Sequence, residues 1–521
     1  MRKLLRVLFS RYTISALFFL SELVFLAFML SYAQAYSYLF FLISQILNTF
    51  VVISLINREA NPEFKVTWVT VVSFLTFFGA LLYIMFYSRK MSKKEIRNLE
   101  QIKQTLLTEQ IKEESNEALS ALSKIDLSAA GRAYSILGAD CFSSLYRERG
   151  LTYFPSGEEM FACMVEDLSS ASKYIFLEYF IVEDGKMWQR IHSVLKEKAA
   201  AGVDVRLLYD DIGCMQTLPK GFAARLERDG IKCRSFGRVS PLLVSNHNNR
   251  DHRKITVIDG IYAYTGGINI ADEYINAKIR FGHWKDGGVR VLGSAAEGFA
   301  RLFLVNWYIT DSGTRPYPMS YTGERVDAVS YGDSAERESG FLIPFGDGPS
   351  PLYPEYTAKG VIMNIINRAE RYLYITTPYL IIDYDLTEAL RGAAKRGVDV
   401  RIITPGIADK KIVKIMTKST YPSLILAGVR IFEYSRGFIH EKLIVSDDEN
   451  ALVGTVNLDY RSLVHHFECA LWIFRSPEIK RMREGFMQTV EVSREIDETD
   501  AKLSLFEKSV RAAVRLFSPL L

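Results

Sequence analysis

The pattern of apolar and polar positions divides this chain into two unlike parts. It opens with three nearly continuous apolar runs, Thr13–Tyr32, Tyr38–Ile56 and Val66–Tyr87. Each is close to the roughly 20 residues that a bilayer-spanning helix needs. Residues 93–124 then turn to Glu, Lys, Gln and Leu without Gly or Pro, which predicts an exposed helical connector. Beyond it, short aromatic-rich apolar runs alternate with helical periodicity. KYIFLEYFI (173–181) and RYLYITTPYLI (371–381) predict buried strands. Each is followed by a helical stretch ending in Gly and then by a second strand, GVDVRLLYD from Gly202 and GVDVRIITP from Gly397. Strand–helix–strand units predict parallel pairing with helices laid over the sheet.

The repetition extends to the polar positions. DHRKITVIDG (251–260) and HEKLIVSDD (440–448) share His-x-Lys, as His252 with Lys254 and His440 with Lys442, and both reach an Asp, Asp259 and Asp447. Downstream lie YTGGINIADEY and LVGTVNLDYRS, each with Gly-x-x-Asn. Asn269 and Asn457 stand at the same distance behind their histidines. Paired motifs in register inside a wider repeat predict two tandem α/β lobes whose matching sites meet across a pseudo-twofold axis. The boundaries drawn are 1–92 for the membrane region, 93–130 for the connector, 131–335 and 336–490 for the lobes, and 491–521 for a C-terminal amphipathic helix.

These residue types suit phosphate chemistry. On a strand, residues i and i+2 share a face, so each Lys is expected beside its His. An ammonium there repels a metal cation and attracts an anion. Two lysines and two asparagine amides offer charge and donors to phosphate oxygens. One neutral imidazole can attack phosphorus while the other, protonated, serves the departing oxygen. Histidine titrates near neutral pH, so both forms are accessible. Asp259 and Asp447, an odd number of residues from their histidines, are read as closing the turns at the strand ends.

Composition narrows the class. Lys+Arg number 64 and Asp+Glu 60 in 521 residues, a balance that gives no general attraction to nucleic acid. Five scattered cysteines without a CxxC pair argue against a disulfide framework and a structural zinc site. Four basic residues precede the first apolar run, but further runs follow at once, so a membrane region is expected rather than a cleaved leader. Basic residues flank both its ends, and the lobes are placed on the cytoplasmic side.

The HxKxxxxD signature at His252–Asp259 and His440–Asp447 resembles that of the phospholipase D superfamily. LTYFPSGEEMF (151–161), FLEYFIVEDG (176–185), NNRDHRKITVIDG (248–260), TGGINIADEYIN (265–276), INREANPEFKVTWV (56–69) and the closing FSPLL are similar to the bacterial cardiolipin synthases of that superfamily. The resemblance covers nearly the whole chain. It implies two phospholipase D-like lobes, a bacterial plasma membrane location, no metal or other cofactor, and transfer of a phosphatidyl group between two phosphatidylglycerol molecules, giving cardiolipin and glycerol through a phosphohistidine. It implies catalytic roles for His252, Lys254, Asp259, His440, Lys442 and Asp447, with His252 as nucleophile and His440 as acid/base. Asn269 and Asn457 would bind substrate. Where the family often has Ser two residues before the Asn, this chain has Gly267 and Thr455, so only Thr455 offers a hydroxyl to phosphate. Asp286 and Glu468 match acidic residues that orient a histidine of the opposite half. The family usually shows two amino-terminal spans, which makes Thr13–Tyr32 the odd run. The partners implied are phosphatidylglycerol and the lipid bilayer, with no nucleic acid.

Overall fold

The computed structural model describes residues 34–509 except 59–61, 76–77, 88–100, 103, 108, 140–141, 238–248, 311–339, 351, 354, 503 and 506–507, together with a few positions between 20 and 28. Two compact units result: one formed by the chain up to Lys90, the other by 91–239 and 247–511.

In the first unit, Gln34–Ile56 is a single helix, and within it Tyr38–Ile56 is long and apolar enough to cross a bilayer. It is the one such helix among the described residues. The third apolar run is instead broken into helices Pro62–Phe74 and Phe78–Tyr87, each too short to span by itself. Trp68 and Tyr83 meet edge-to-face at 5.4 Å, and with Val51, Leu55, Phe64 and Val72 they form a small core. The run Thr13–Tyr32 falls largely outside the described residues.

The second unit is built on two mixed sheets. The first has seven strands in the order Leu151–Phe154, Gly288–Leu292, Tyr262–Gly266, Lys254–Ile258, Tyr174–Tyr179, Asp204–Asp210 and Lys232–Phe236. The second repeats that order with Phe341–Asp347, Glu468–Phe474, Asn450–Gly454, Leu443–Ser446, Tyr372–Thr376, Asp399–Pro405 and Arg430–Tyr434. The GVDVR repeats supply the parallel strands: Ile175 pairs with Val205, and Leu373 with Val400. Side chains alternate across the strands, and here both faces are covered. Ile175 and Leu177 join an outer core with Met164, Leu168, Trp188 and Ile191. Tyr174 and Phe176 face an inner core that both sheets share.

Two helices fill that inner layer, Ser294–Ile309 and Glu478–Glu491. Ala296, Phe299, Phe303 and Leu304 of the former, and Ile479, Met482 and Phe486 of the latter, pack among strand residues from both sheets. The lobes are therefore welded through a common apolar core.

Three boundaries differ from the sequence reading. Helices Glu109–Ile125 and Leu127–Ala139 are not an exposed connector. Ala118, Leu122, Ala129, Ala133 and Ile136 are buried against Phe341, Ile362 and Trp472 of the second lobe. Tyr146–Arg147, counted with the first lobe, adds an edge strand to the second sheet through Phe341 and Leu342. Ser493–Ile496 is no helix; it pairs antiparallel with Arg430–Tyr434 on the other edge. The remainder of the 491–521 amphipathic helix lies mostly outside the described residues.

Candidate active site

Both histidines stand just before a strand rather than on it. The strands begin at Lys254 and Leu443, and each histidine occupies the extended segment that leads in. Each segment is fastened by the opposite lobe. His252 N–H donates to the Phe467 carbonyl at 2.9 Å, and His440 N–H to the Lys285 carbonyl at 2.7 Å. Gly437–Ile439 runs parallel to His283–Lys285, and an isolated bridge joins Asp251 to Phe467.

The residue after each of those acceptors is an acid. Glu468 Oε1 lies 2.9 Å from His252 Nδ1, and Asp286 Oδ2 lies 2.8 Å from His440 Nδ1. Each imidazole is thus oriented through Nδ1 by an acid from the other half, which leaves Nε2 as the nitrogen free of that contact. All four side chains are buried: Glu468 and Asp286 are 0% exposed and both histidines 7%.

Lys254 Nζ donates to the His252 carbonyl at 2.6 Å, and Lys442 Nζ donates to the His440 carbonyl. Burial lowers the Lys254 ammonium to about 8 and that of Lys442 to about 7, the nearby acids Glu468 and Asp286 only partly opposing it. Burial and then Lys442 bring His440 down to about 4 against the pull of Asp286. Burial and Lys254 push His252 well below the ordinary imidazole value. The two acids differ. Burial raises Asp286, but His440, Lys442 and the Gly287 N–H outweigh it, so its pKa falls below the usual carboxylate value. Burial carries Glu468 well above that value, and Lys254 and Thr455 offset only part of the rise.

The remaining sequence candidates separate. Thr455 is not free for phosphate: its hydroxyl donates to Glu468 Oε2 and accepts from Cys469 N–H at 3.0 Å. Gly267, its counterpart, leaves room for Asp286, whose Oδ1 would come within 2.0 Å of any Cβ there. Asn269 is likewise engaged, accepting from Ile181 N–H at 3.0 Å and donating to Tyr274 Oη at 2.7 Å. Asn457 keeps its buried Oδ1 without a hydrogen-bond partner. Asp259 and Asp447 close turns at the far ends of their strands. The Asp259 carboxylate accepts from Ser172, Lys173 and Tyr174 N–H at 2.7 Å each, and Asp447 accepts from Glu370, Arg371 and Tyr372 N–H at 2.9 Å each.

Several site residues carried no distinguishing signal in sequence. The middle residues of the two His-x-Lys phrases tie the lobes together. Arg253 donates to the Glu468 carbonyl at 3.0 Å and to Tyr353 Oη at 2.6 Å, while Glu441 accepts from Tyr153 Oη at 2.6 Å. Aromatic rings wall the histidines: Phe180 stands 5.0 Å from His252, and Tyr274 and Trp284 stand 5.5 and 5.6 Å from His440. His466 is buried with its ring 5.5 Å from His252. His252, His466 and Glu468 hold ligand-type atoms within 4.8 Å of one another. A cation among them would break the His252–Glu468 hydrogen bond and sit beside Lys254, so the donor set does not fit a metal.

A family model described as "Cardiolipin synthase, PLD-like domain" matches residues 164–278 and 362–490, one stretch per lobe. A second, described as phospholipase D-nuclease N-terminal, matches 46–86. A cardiolipin synthase of Geobacillus sp. (strain WCH70) is 34% identical over 90% of this chain and 91% of its own length. The chain belongs to the phospholipase D-like cardiolipin synthase family. Another such synthase, from Staphylococcus aureus (strain N315), is 31% identical over 92% of this chain and 95% of that one. An uncharacterized protein of Streptococcus mutans is 39% identical over 90% of this chain and 99% of that one. The fold of this cardiolipin synthase family member is shared with the crystal structure of phosphatidylserine synthase from Haemophilus influenzae, with TM-score 0.55 and 14% identity over 75% of this chain and 98% of that one.

Proposed function

We propose that this protein transfers a phosphatidyl group from one phosphatidylglycerol to another, releasing glycerol and forming cardiolipin. The observation that carries the reading is the crossed pairing of His252 with Glu468 and His440 with Asp286. In this reading the two imidazoles, each with Nδ1 tied, direct their Nε2 atoms to one phosphorus. One attacks phosphorus, forming the N–P bond, as the other gives its proton to the departing glycerol oxygen. A hydroxyl of the second phosphatidylglycerol then yields its proton to that same imidazole and attacks phosphorus, and the N–P bond breaks. Lys254, Lys442 and the Asn457 amide would hold the non-bridging oxygens. One phosphodiester replaces another, so the exchange needs no nucleotide.

Membership in the cardiolipin synthase family and the apolar helix Tyr38–Ile56 support a lipid substrate met at the bilayer. The test is product analysis with the purified full chain and phosphatidylglycerol alone. Cardiolipin and glycerol in equal amounts are expected. Phosphatidic acid as the sole lipid product would replace the transferase with a hydrolase.

A further inference from the structure

The two halves of the site are not equivalent, and the difference centres on His466. Aligning HWKD (283–286) with HHFE (465–468) on their acids makes Trp284 and His466 counterparts, each two residues before the carboxylate that holds the opposite histidine. Trp284 lies 5.6 Å from His440, and His466 lies 5.5 Å from His252. An indole thus walls one side of the pocket and an imidazole the other. Both ring nitrogens of His466 are buried without a hydrogen-bond partner, and the nearest acid oxygen, Glu468 Oε1, is 3.9 Å from Nδ1. A neutral imidazole carries one donor and one acceptor, and leaving both unmet in a buried site is costly. A hydroxyl, itself donor and acceptor, satisfies such a ring.

We propose that His466 binds a hydroxyl of the alcohol headgroup, so that the alcohol leaves and enters on the His252 side of phosphorus while His440 attacks from the Trp284 side. This rests on the phosphatidyl transfer proposed above and reverses the order of roles that the family resemblance implies. Displacement at phosphorus sets the attacking nitrogen opposite the alcohol oxygen, so the side that recognises the alcohol is the side of the acid/base.

The carboxylates agree with that polarity. Asp286 is held ionised by His440 Nδ1 and by the Gly287 N–H at 2.9 Å. A carboxylate only accepts, so His440 carries its hydrogen on Nδ1 and keeps the Nε2 lone pair for attack. Glu468 is pushed toward its protonated form. The proton it shares with His252 leaves an Nε2–H facing the pocket, whether the pair is written as acid and imidazole or as carboxylate and imidazolium. His440 Nε2 bonds to phosphorus, the P–O bond breaks, and the alkoxide takes the His252 proton. The incoming hydroxyl returns that proton as the N–P bond opens.

The test uses the full chain in mixed micelles of phosphatidyl-p-nitrophenol, a donor whose headgroup has no free hydroxyl for His466 to bind, with labelled glycerol or 1-propanol as soluble acceptor. Wild type is expected to favour glycerol. In His466→Phe, transfer to glycerol should fall about 10- to 100-fold, the cost of an unmet hydroxyl, with phosphatidylpropanol formation held within about threefold. His466→Asn, which keeps a donor and an acceptor, should recover most of the glycerol transfer. A parallel fall for both alcohols, or none for either, would overturn the inference. The roles are read with the same donor, whose leaving group needs no proton. His252→Ala should release one equivalent of nitrophenolate and stall, and His440→Ala should release none; the reverse pattern overturns the polarity. A wild-type enzyme that consumes the donor without transfer to either alcohol would remove the transferase reading itself, and this inference with it.

Discussion

Glu468 holds Nδ1 of His252 at 2.9 Å across 216 residues of sequence. Its counterpart, Asp286 with His440, spans 154. Neither motif histidine takes its acid from its own lobe. The packing of helices Ser294–Ile309 and Glu478–Glu491 between the sheets is therefore part of the chemistry, because it fixes the register in which each acid meets the other lobe's ring.

Removing the acid while keeping its shape tests this coupling. Asp286→Asn lets the His440 imidazole settle in the wrong tautomer for attack, and Glu468→Gln removes the proton that the acid shares with His252. By comparison with other acid–histidine pairs, turnover should fall about 10²- to 10⁴-fold. Melting temperature and circular dichroism should stay close to wild type. A fully active Glu468→Gln enzyme would show that the contact has no catalytic role.

The two lysines set an alkaline limit. With Lys442 near 7 and Lys254 near 8, raising the pH through that range discharges the groups proposed to hold phosphate, so kcat/KM should fall on the alkaline side. Stability should move the other way. A folded-state lysine pKa below the unfolded value near 10.4 means that the unfolded chain binds more protons between the two, so stability rises with pH across that window. Lys442→Met should lose about 10²- to 10³-fold in turnover yet melt no lower than wild type at pH 7. A large drop in its melting temperature would show that the buried ammonium supports the fold.

Asp259 and Asp447 should separate stability from chemistry. Their backbones lie in the left-handed region, with φ of 54° and 59°, and their carboxylates gather three backbone N–H groups each. Asp259→Ala should cost about 1–3 kcal/mol, seen as a drop of several degrees in Tm, with turnover per folded molecule unchanged. Loss of turnover at an unchanged Tm would move Asp259 into the reacting centre.

Much of this is legible in the chain because it is written twice. GVDVR recurs where each sheet needs its buried parallel strand, and His-x-Lys and Gly-x-x-Asn recur in register. Local patterns do not say which sheet receives an edge strand, so Tyr146–Arg147 reads as first-lobe, and helix Leu127–Ala139 as the junction of connector and first lobe, while both pack on the second. Nor do they reveal occupancy. Thr455 and Asn269 look like phosphate contacts until Glu468, Ile181 and Tyr274 are seen to claim them. The His466 ring matters through its distance to His252, and no spacing in the sequence encodes that distance.

The central claim is that phosphorus passes through a covalent bond to one of two facing imidazoles. Phosphatidylglycerol made chiral at phosphorus by oxygen isotopes tests it most directly, with the configuration read in the cardiolipin product. Two successive in-line displacements predict retention. Inversion would mean that one lipid attacks the other in a single step, with neither His252 nor His440 ever bonded to phosphorus.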